Sequence, residues 1–253
     1  MRSARLPALA ISIALSLPVV AASPRTEEPP AAAAVRQALS TRFPDISIVG
    51  VQPAPVAGLF EVFTGDAIAY SNASGDYLFL GTIMDTHSRR NLTADRMDEL
   101  NAIDFESLPF AQAIKVVKGD GRRRIAIFAD PECPYCQELE HELASMDDMT
   151  VYTFLYPLAA IHPDAPAKAR AIWCSKDRAG AWSGWMLDKH DPKAESPCDE
   201  RPLDDTRALG AKLRINSTPT LFLPSGKRVS GALSAAQLEE ALKEAPGAPT
   251  AHR

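Results

Sequence analysis

Phe128-Ala129-Asp130-Pro131-Glu132-Cys133-Pro134-Tyr135-Cys136 joins an apolar run to an Asp-Pro stop and then to two cysteines separated by two residues. Arg124 to Ala129 reads almost wholly apolar, as a strand covered on both faces does. Pro134 to Met146 reads as a helix, with Pro134 in the first turn, where no N–H is required. Strand, turn and helix in that order predict that the first sulfur sits at a helix N-terminus, where unpaired N–H groups and the helix dipole favour an anion. Cys133 is therefore expected to be an acidic thiol and the attacking nucleophile, with Cys136, one turn inward, as the buried resolving thiol. Tyr135 supplies apolar surface beside the reactive sulfur. A Glu132 carboxylate turned inward would raise the thiol pKa, so it is expected to face water.

Working outward, Ala113 to Val117 and Thr150 to Tyr156 read as further strands, the former joined to Arg124–Ala129 through the turn Lys118-Gly119-Asp120-Gly121. Residues 163–213 are helical in character and broken by Pro and Gly; Thr220–Leu223, Arg228–Ala232 and Ser234–Glu244 close the chain as hairpin and helix. Before that hairpin stands Ser217-Thr218-Pro219-Thr220. A proline entering a strand well downstream of a CxxC is where thioredoxin-like folds keep a cis peptide beside the sulfurs, which makes Thr218 and Pro219 candidates for pairing with an extended substrate. The alternative is an ordinary trans proline opening a strand.

The N-terminal half is different in texture. Arg2 and Arg5 precede an apolar run from Leu6 to Val20 and the small residues Ala21 and Ala22, which predicts a secretory signal peptide over residues 1–22. A membrane anchor is the rival reading, but the run falls short of the roughly 20 residues a spanning helix needs and contains Pro7 and Pro18. Ser23 to Ala34 reads as a flexible lead-in on its Pro, Glu and Ala content, and Val35 to Phe43 as a short helix. Ile46 to Val51, Leu59 to Thr64, Ala67 to Ser71 and Tyr77 to Met84 read as strands, making residues 34–92 a small strand-rich domain that would associate through its edges, with a packed N-terminal extension of a single domain as the alternative. Thr93 is the expected N-cap of a connecting helix running to Leu108, and residues 109–247 form the domain that carries the CxxC.

A formal charge of -5 gives no basic footprint, so no nucleic-acid partner is expected. Four cysteines in a secreted chain point to paired sulfurs. Cys174 and Cys198 read most simply as a structural disulfide within the helical stretch, with a second, electron-relaying pair as the alternative. A zinc site would need Cys174 and Cys198 as its second half; they form no second CxxC, so neither metal nor cofactor is expected, and copurifying zinc would show otherwise. Trp173, Trp182 and Trp185 read as core. His141 is offset from both cysteines and reads as solvated, and His87, His162, His190 and His252 are scattered. Asn91-Leu92-Thr93 matches a glycosylation sequon.

Signal peptide, small strand-rich block, connecting helix, the Phe128–Cys136 stretch and the later Thr218-Pro219 together resemble the periplasmic disulfide isomerase family of Gram-negative bacteria, DsbC and its relative DsbG. The resemblance implies an α+β chain: a cystatin-like dimerisation domain, a linker helix, and a thioredoxin-like α/β domain with a helical insertion. It also implies a V-shaped homodimer with an apolar cleft, misfolded secreted proteins with wrong disulfides as clients, chaperone-like binding, and a membrane thiol reductase of the DsbD type as electron donor. Pro134-Tyr135 leans toward DsbG, a chaperone-like reductase of sulfenylated cysteines. Cys174 and Cys198 lean toward the isomerase branch, which has a second, structural disulfide in the matching region, and the isomerase is the favoured reading.

Overall fold

Helix α1, Pro30–Arg42, opens the computed structural model, which describes residues 28–243; the signal segment 1–22 lies outside the described residues. The helix starts five residues before Val35, inside the segment expected to be flexible. Pro30 occupies the first helical turn without wasting a donor, the four alanines that follow are the best helix formers, and Ala32 is fully buried.

Strands β1 (Gly50–Pro53), β2 (Leu59–Phe63), β3 (Ile68–Asn72) and β4 (Leu78–Phe79) form an antiparallel meander in that order. Alternation along β2 accounts for how both faces of this sheet are covered. Phe60 and Val62 join Val35 and Leu39 of α1 in one cluster, whereas Leu59 and Phe63 point the other way, toward Met97 and Leu100. The buried Glu61 lies on that second side and accepts from Arg96 Nε at 3.2 Å. Met97, Leu100 and Arg96 belong to α2, Leu92–Asn101.

Three further expectations for this half are corrected. The run Tyr77–Met84 is not one strand: beyond Phe79 it leaves β3, and its end pairs with the approach to α2 through a Met84–Asn91 bridge. The N-cap of α2 is Asn91, whose side chain accepts from Ala94 N at 3.0 Å. Thr93 lies inside the helix, where its buried hydroxyl pairs with Tyr70 OH at 2.5 Å and accepts from Ile83 N at 2.9 Å. Finally, α2 stops at Asn101 instead of running to Leu108. Asp104 caps a 3₁₀ turn, Phe105–Ser107, that swings Phe105 and Leu108 into the core of the following domain. Ile103 N donates to Gly226 O at 3.1 Å, and Gly226 has a φ of +85°; a Cβ there would lie 2.1 Å from Ile103 O, so only glycine allows this approach.

The second sheet has the order β5-β7-β6-β8-β9, built from Ile114–Lys118, Arg123–Ala129, Met149–Leu155, Thr220–Phe222 and Arg228–Ser230 numbered β5 to β9 along the chain. Only β6 and β7 are parallel; the other pairings are antiparallel. Ile125, Ile127 and Ala129 of β6 face a cluster with Cys136, Leu139 and Leu143 of α3 (Pro134–Ala144), joined by residues of α4 (Ala165–Trp173), α5 (Arg178–Asp188) and α7 (Ala235–Lys243). Ala126 and Phe128 face the opposite cluster, which contains Phe105, Phe154, Tyr156 and Phe222 and is closed by Leu209 and Leu213 at the end of α6 (Arg201–Lys212). Burial on both faces is what the near-continuous apolar run of β6 encodes.

Helices α4, α5 and α6 form the insertion between β7 and β8. Cys174, at the C-cap of α4, is bonded to Cys198 ahead of α6, and Trp173 Nε1 donates across the same junction to Asp199 O at 2.9 Å. Trp173 and Trp182 are core residues, as their apolar surroundings predict. No helix among the described residues is long and apolar enough to cross a membrane. Replacing Cys174 and Cys198 together by serine is expected to cost about 3 kcal/mol of unfolding free energy in chemical denaturation, the loop-entropy value for a crosslink of this span. The same variant should leave the titration of Cys133 in place.

Candidate active site

The carboxyl end of β6 delivers the chain directly to Cys133. Tyr156 N donates to Ala129 O at 2.8 Å, which extends the parallel pairing to the last residue of β6, and Cys133 N donates to Asp130 O at 3.1 Å, which closes the turn. Cys133 is the N-cap of α3, with extended backbone, and its carbonyl accepts from Cys136 N at 3.1 Å and Gln137 N at 3.2 Å. Cys133 and Cys136 are both free thiols. The first sulfur thus lies where the dipole and open N–H groups of α3 converge.

Cys133 is only 5% exposed and Cys136 2%, so both sulfurs are enclosed. Tyr135, between them in sequence, is 61% exposed. The Thr218–Pro219 peptide is cis, and Cys133 Sγ lies 3.3 Å from Thr218 O. The Thr218 hydroxyl is buried with no hydrogen-bond partner among the described residues, and the Thr218 side chain favours the ionised form of both sulfurs. Cys133, Cys136, Thr218 and Pro219 are therefore brought together, with Tyr135 at the rim; Cys174 and Cys198 are set apart in the insertion.

The electrostatics divide the two thiols. A hydrogen bond from the Cys136 thiol is the largest influence on Cys133; with the Thr218 side chain and the N–H groups of Cys136 and Tyr135 it outweighs burial and lowers the Cys133 pKa to about 5. Cys136 is pushed the other way, first by burial and then because it donates to its neighbour and faces its charge; its pKa stands well above the ordinary thiol range. At neutral pH the pair is one thiolate and one thiol. Glu132 is half-buried, and its charge acts on His162 and Lys189.

Two polar residues at the shared end of β6 and β7 escaped the sequence reading. Asp130 is fully buried, and His162, read there as scattered, bonds to it through Nδ1 at 2.9 Å. The pairing has no sequence spacing to betray it. The signal that could have found it is topological: parallel β6 and β7 end side by side, so polar residues just after each end are neighbours. His141 is exposed on α3, as expected.

Residues 110–246 match the thioredoxin-like domain family, and residues 26–94 match the disulfide bond isomerase protein N-terminal domain. A Bordetella avium protein named probable thiol:disulfide interchange protein DsbC is 43% identical over 213 residues, covering 84% of this chain and 75% of the relative. The chain belongs to the DsbC family of thiol:disulfide interchange proteins. The DsbC of Escherichia coli K12 is 28% identical over 217 residues, covering 84% of this chain and 87% of that one. A solved disulfide interchange protein from Neisseria gonorrhoeae superposes with a TM-score of 0.53 at 43% identity, over 56% of this chain and 100% of the other. These DsbC-family likenesses agree with an α+β chain made of a small N-terminal unit and a thioredoxin-like domain.

In the reduced protein, the rate of alkylation by iodoacetamide is expected to rise with pH through a single step centred at about 5, and mass mapping should place the adduct on Cys133. A step in the ordinary thiol range near 8.5 would show that the donors described above do not hold the thiolate.

Proposed function

We propose that this chain is a disulfide isomerase and reductase in which Cys133 is the nucleophile and Cys136 the resolving thiol. The observation that carries the proposal is the placement of two free thiols, Cys133 at the N-cap of α3 and Cys136 buried one turn inside it, which lowers the first pKa to about 5 and raises the second. The Cys133 thiolate attacks one sulfur of a wrong client disulfide, forming a mixed disulfide and releasing the other client sulfur as a thiolate. A second client thiolate then attacks the client sulfur of the mixed disulfide, which frees Cys133 unchanged and leaves a new client disulfide. When none arrives, Cys136 gives up its proton and attacks Cys133, releasing the reduced client and leaving a Cys133–Cys136 disulfide. The second outcome needs an external dithiol to reset the protein, and a membrane thiol reductase of the DsbD type fits that role.

Tyr135, exposed at the rim, and Thr218 with Pro219, against the sulfur, are the proposed client contacts. The same reading takes residues 34–92 as a dimerisation domain and 109–247 as the catalytic domain. Support for the dimer comes from the open edge of the first sheet: β4 is two residues long, and Tyr77, Leu78, Phe79, Leu80 and Met84 are all exposed along it. A second copy would cover this apolar edge and satisfy its backbone. A periplasmic setting, reached through a signal peptide at residues 1–22, completes the proposal, with misfolded secreted proteins as clients held in an apolar cleft. The Cys174–Cys198 bond fits the isomerase branch. Pro134-Tyr135 favours a second activity, reduction of sulfenylated protein cysteines, which uses the same two sulfurs.

Cys133→Ala is expected to abolish reactivation of scrambled ribonuclease, and retained activity would remove the assigned nucleophile. Release of sulfenic acid from an oxidised client protein tests the second activity in the same preparation. Sedimentation at micromolar concentration is expected to give a dimer that Leu80→Lys, placed on the exposed edge, converts to monomer.

A further inference from the structure

The mechanism above leaves unused the polar pair at the shared end of β6 and β7. Asp130 is 0% exposed, yet its carboxylate is fully engaged. Oδ1 accepts from Glu132 N at 2.7 Å; Oδ2 accepts from Leu158 N at 2.7 Å and pairs with His162 Nδ1 at 2.9 Å. Its backbone carbonyl receives Cys133 N. A carboxylate buried at this depth is tolerable only when its lone pairs are filled, and filling them here ties the loop that carries Cys133 to the loop that follows β7. That second loop is itself fixed, since His162 N donates to Leu158 O at 2.9 Å and Ala165 N to His162 O at 3.1 Å.

With Nδ1 committed to Asp130, the imidazole is locked in orientation while its side chain stays 22% exposed and open to proton exchange. The Asp130 hydrogen bond is the largest influence on its ionisation and raises its pKa; the charges of Asp130, Cys133 and Glu132 act in the same direction against burial. These are the charged groups that act on His162. Lys189 acts on Glu132, and the donors acting on Cys133 are Cys136, Thr218 and the Tyr135 N–H.

We propose that His162 is a positioning residue of the dithiol centre: Asp130, whose carboxylate holds the imidazolium and whose carbonyl receives Cys133 N, ties that positive charge to the turn carrying Cys133, where it favours the thiolate and links proton binding at His162 to the redox state of the cysteine pair. The proposal rests on Cys133 being the ionised nucleophile. Oxidation to the Cys133–Cys136 disulfide removes the negative charge, so His162 holds its proton less tightly in the oxidised protein. By reciprocity, a protonated His162 favours the reduced form. The sign follows from the raised pKa: this contribution is present while Cys133 is ionised, above its pKa of about 5, and His162 is protonated, and it is lost as pH rises through the His162 pKa of the reduced protein.

Two measurements on the full chain test this. In the first, the imidazole signals of His162 are titrated by NMR in the reduced and oxidised proteins. The midpoint is expected to be higher in the reduced form by about half a unit or more, the size of a partly solvated charge pair. Glu132→Gln lowers both midpoints and leaves their difference, because that charge does not change with redox state. In the second, His162→Gln, which keeps a donor for Asp130, raises the alkylation midpoint of Cys133 above its value of about 5 by a similar amount. Equal His162 midpoints in the two redox states, or an unmoved Cys133 midpoint in a folded His162→Gln protein, overturn the proposal. If the variant does not fold, the wild-type titration decides alone. A wild-type Cys133 that titrates as an ordinary thiol overturns the nucleophile assignment and this proposal with it, whereas a normal wild-type midpoint with no His162 effect overturns this proposal only.

Discussion

The Cys133 thiolate persists because the fold holds donors against it: the Cys136 thiol first, then Thr218 and the N–H groups of Cys136 and Tyr135. None of these contacts is possible unless three separate segments converge. The end of β6 must place Cys133 at the helix cap, α3 must carry Cys136 one turn inward, and the loop before β8 must bring Thr218 over the sulfur. Pairing of β6 with β8 links the first and last of these, so the sheet sets the chemistry as well as the core. Burial alone would disfavour the anion, and here directed hydrogen bonds outweigh it.

The ionisation of Cys133 also couples folding to pH. A thiol whose pKa is lowered to about 5 in the folded state contributes stability fully above its unfolded value, near 8.5, and loses it as pH falls through the folded value. The window of change therefore runs from about pH 8.5 down to about 5. This contribution exists only in the reduced protein, so it also inclines the cysteine pair toward accepting electrons.

The thioredoxin-like half was legible because its signals are local and strong. An apolar strand, Asp130-Pro131, a CxxC and Pro134 in a first helical turn leave few alternatives, and Thr218-Pro219 takes its meaning from that context. The N-terminal half was harder because tertiary contacts override weak local preferences. Four alanines after Pro30 were read as lead-in, yet burial of Ala32 against the sheet makes them helix. Thr93 has the chemistry of a cap, but Tyr70 and Ile83 claim its hydroxyl and leave that position to Asn91. The helix expected to reach Leu108 ends early because Phe105 finds a deeper site in the next domain. Asp130 and His162 were invisible for another reason: they meet through the parallel register of β6 and β7, and no periodicity in one chain reports which strands lie side by side.

A protein that exchanges disulfides for a living carries one of its own within reach of sister molecules. Cys174 is 7% exposed, packed with Trp173 and Trp182 in the cluster that backs α3, and Cys198 is partly buried beside them. Thiol attack requires a line of approach along the sulfur–sulfur axis, and of the two ends Cys174 is the more deeply buried. The crosslink thus sits with one end packed into the core that backs the redox helix and the other nearer the surface, so it braces the insertion from inside.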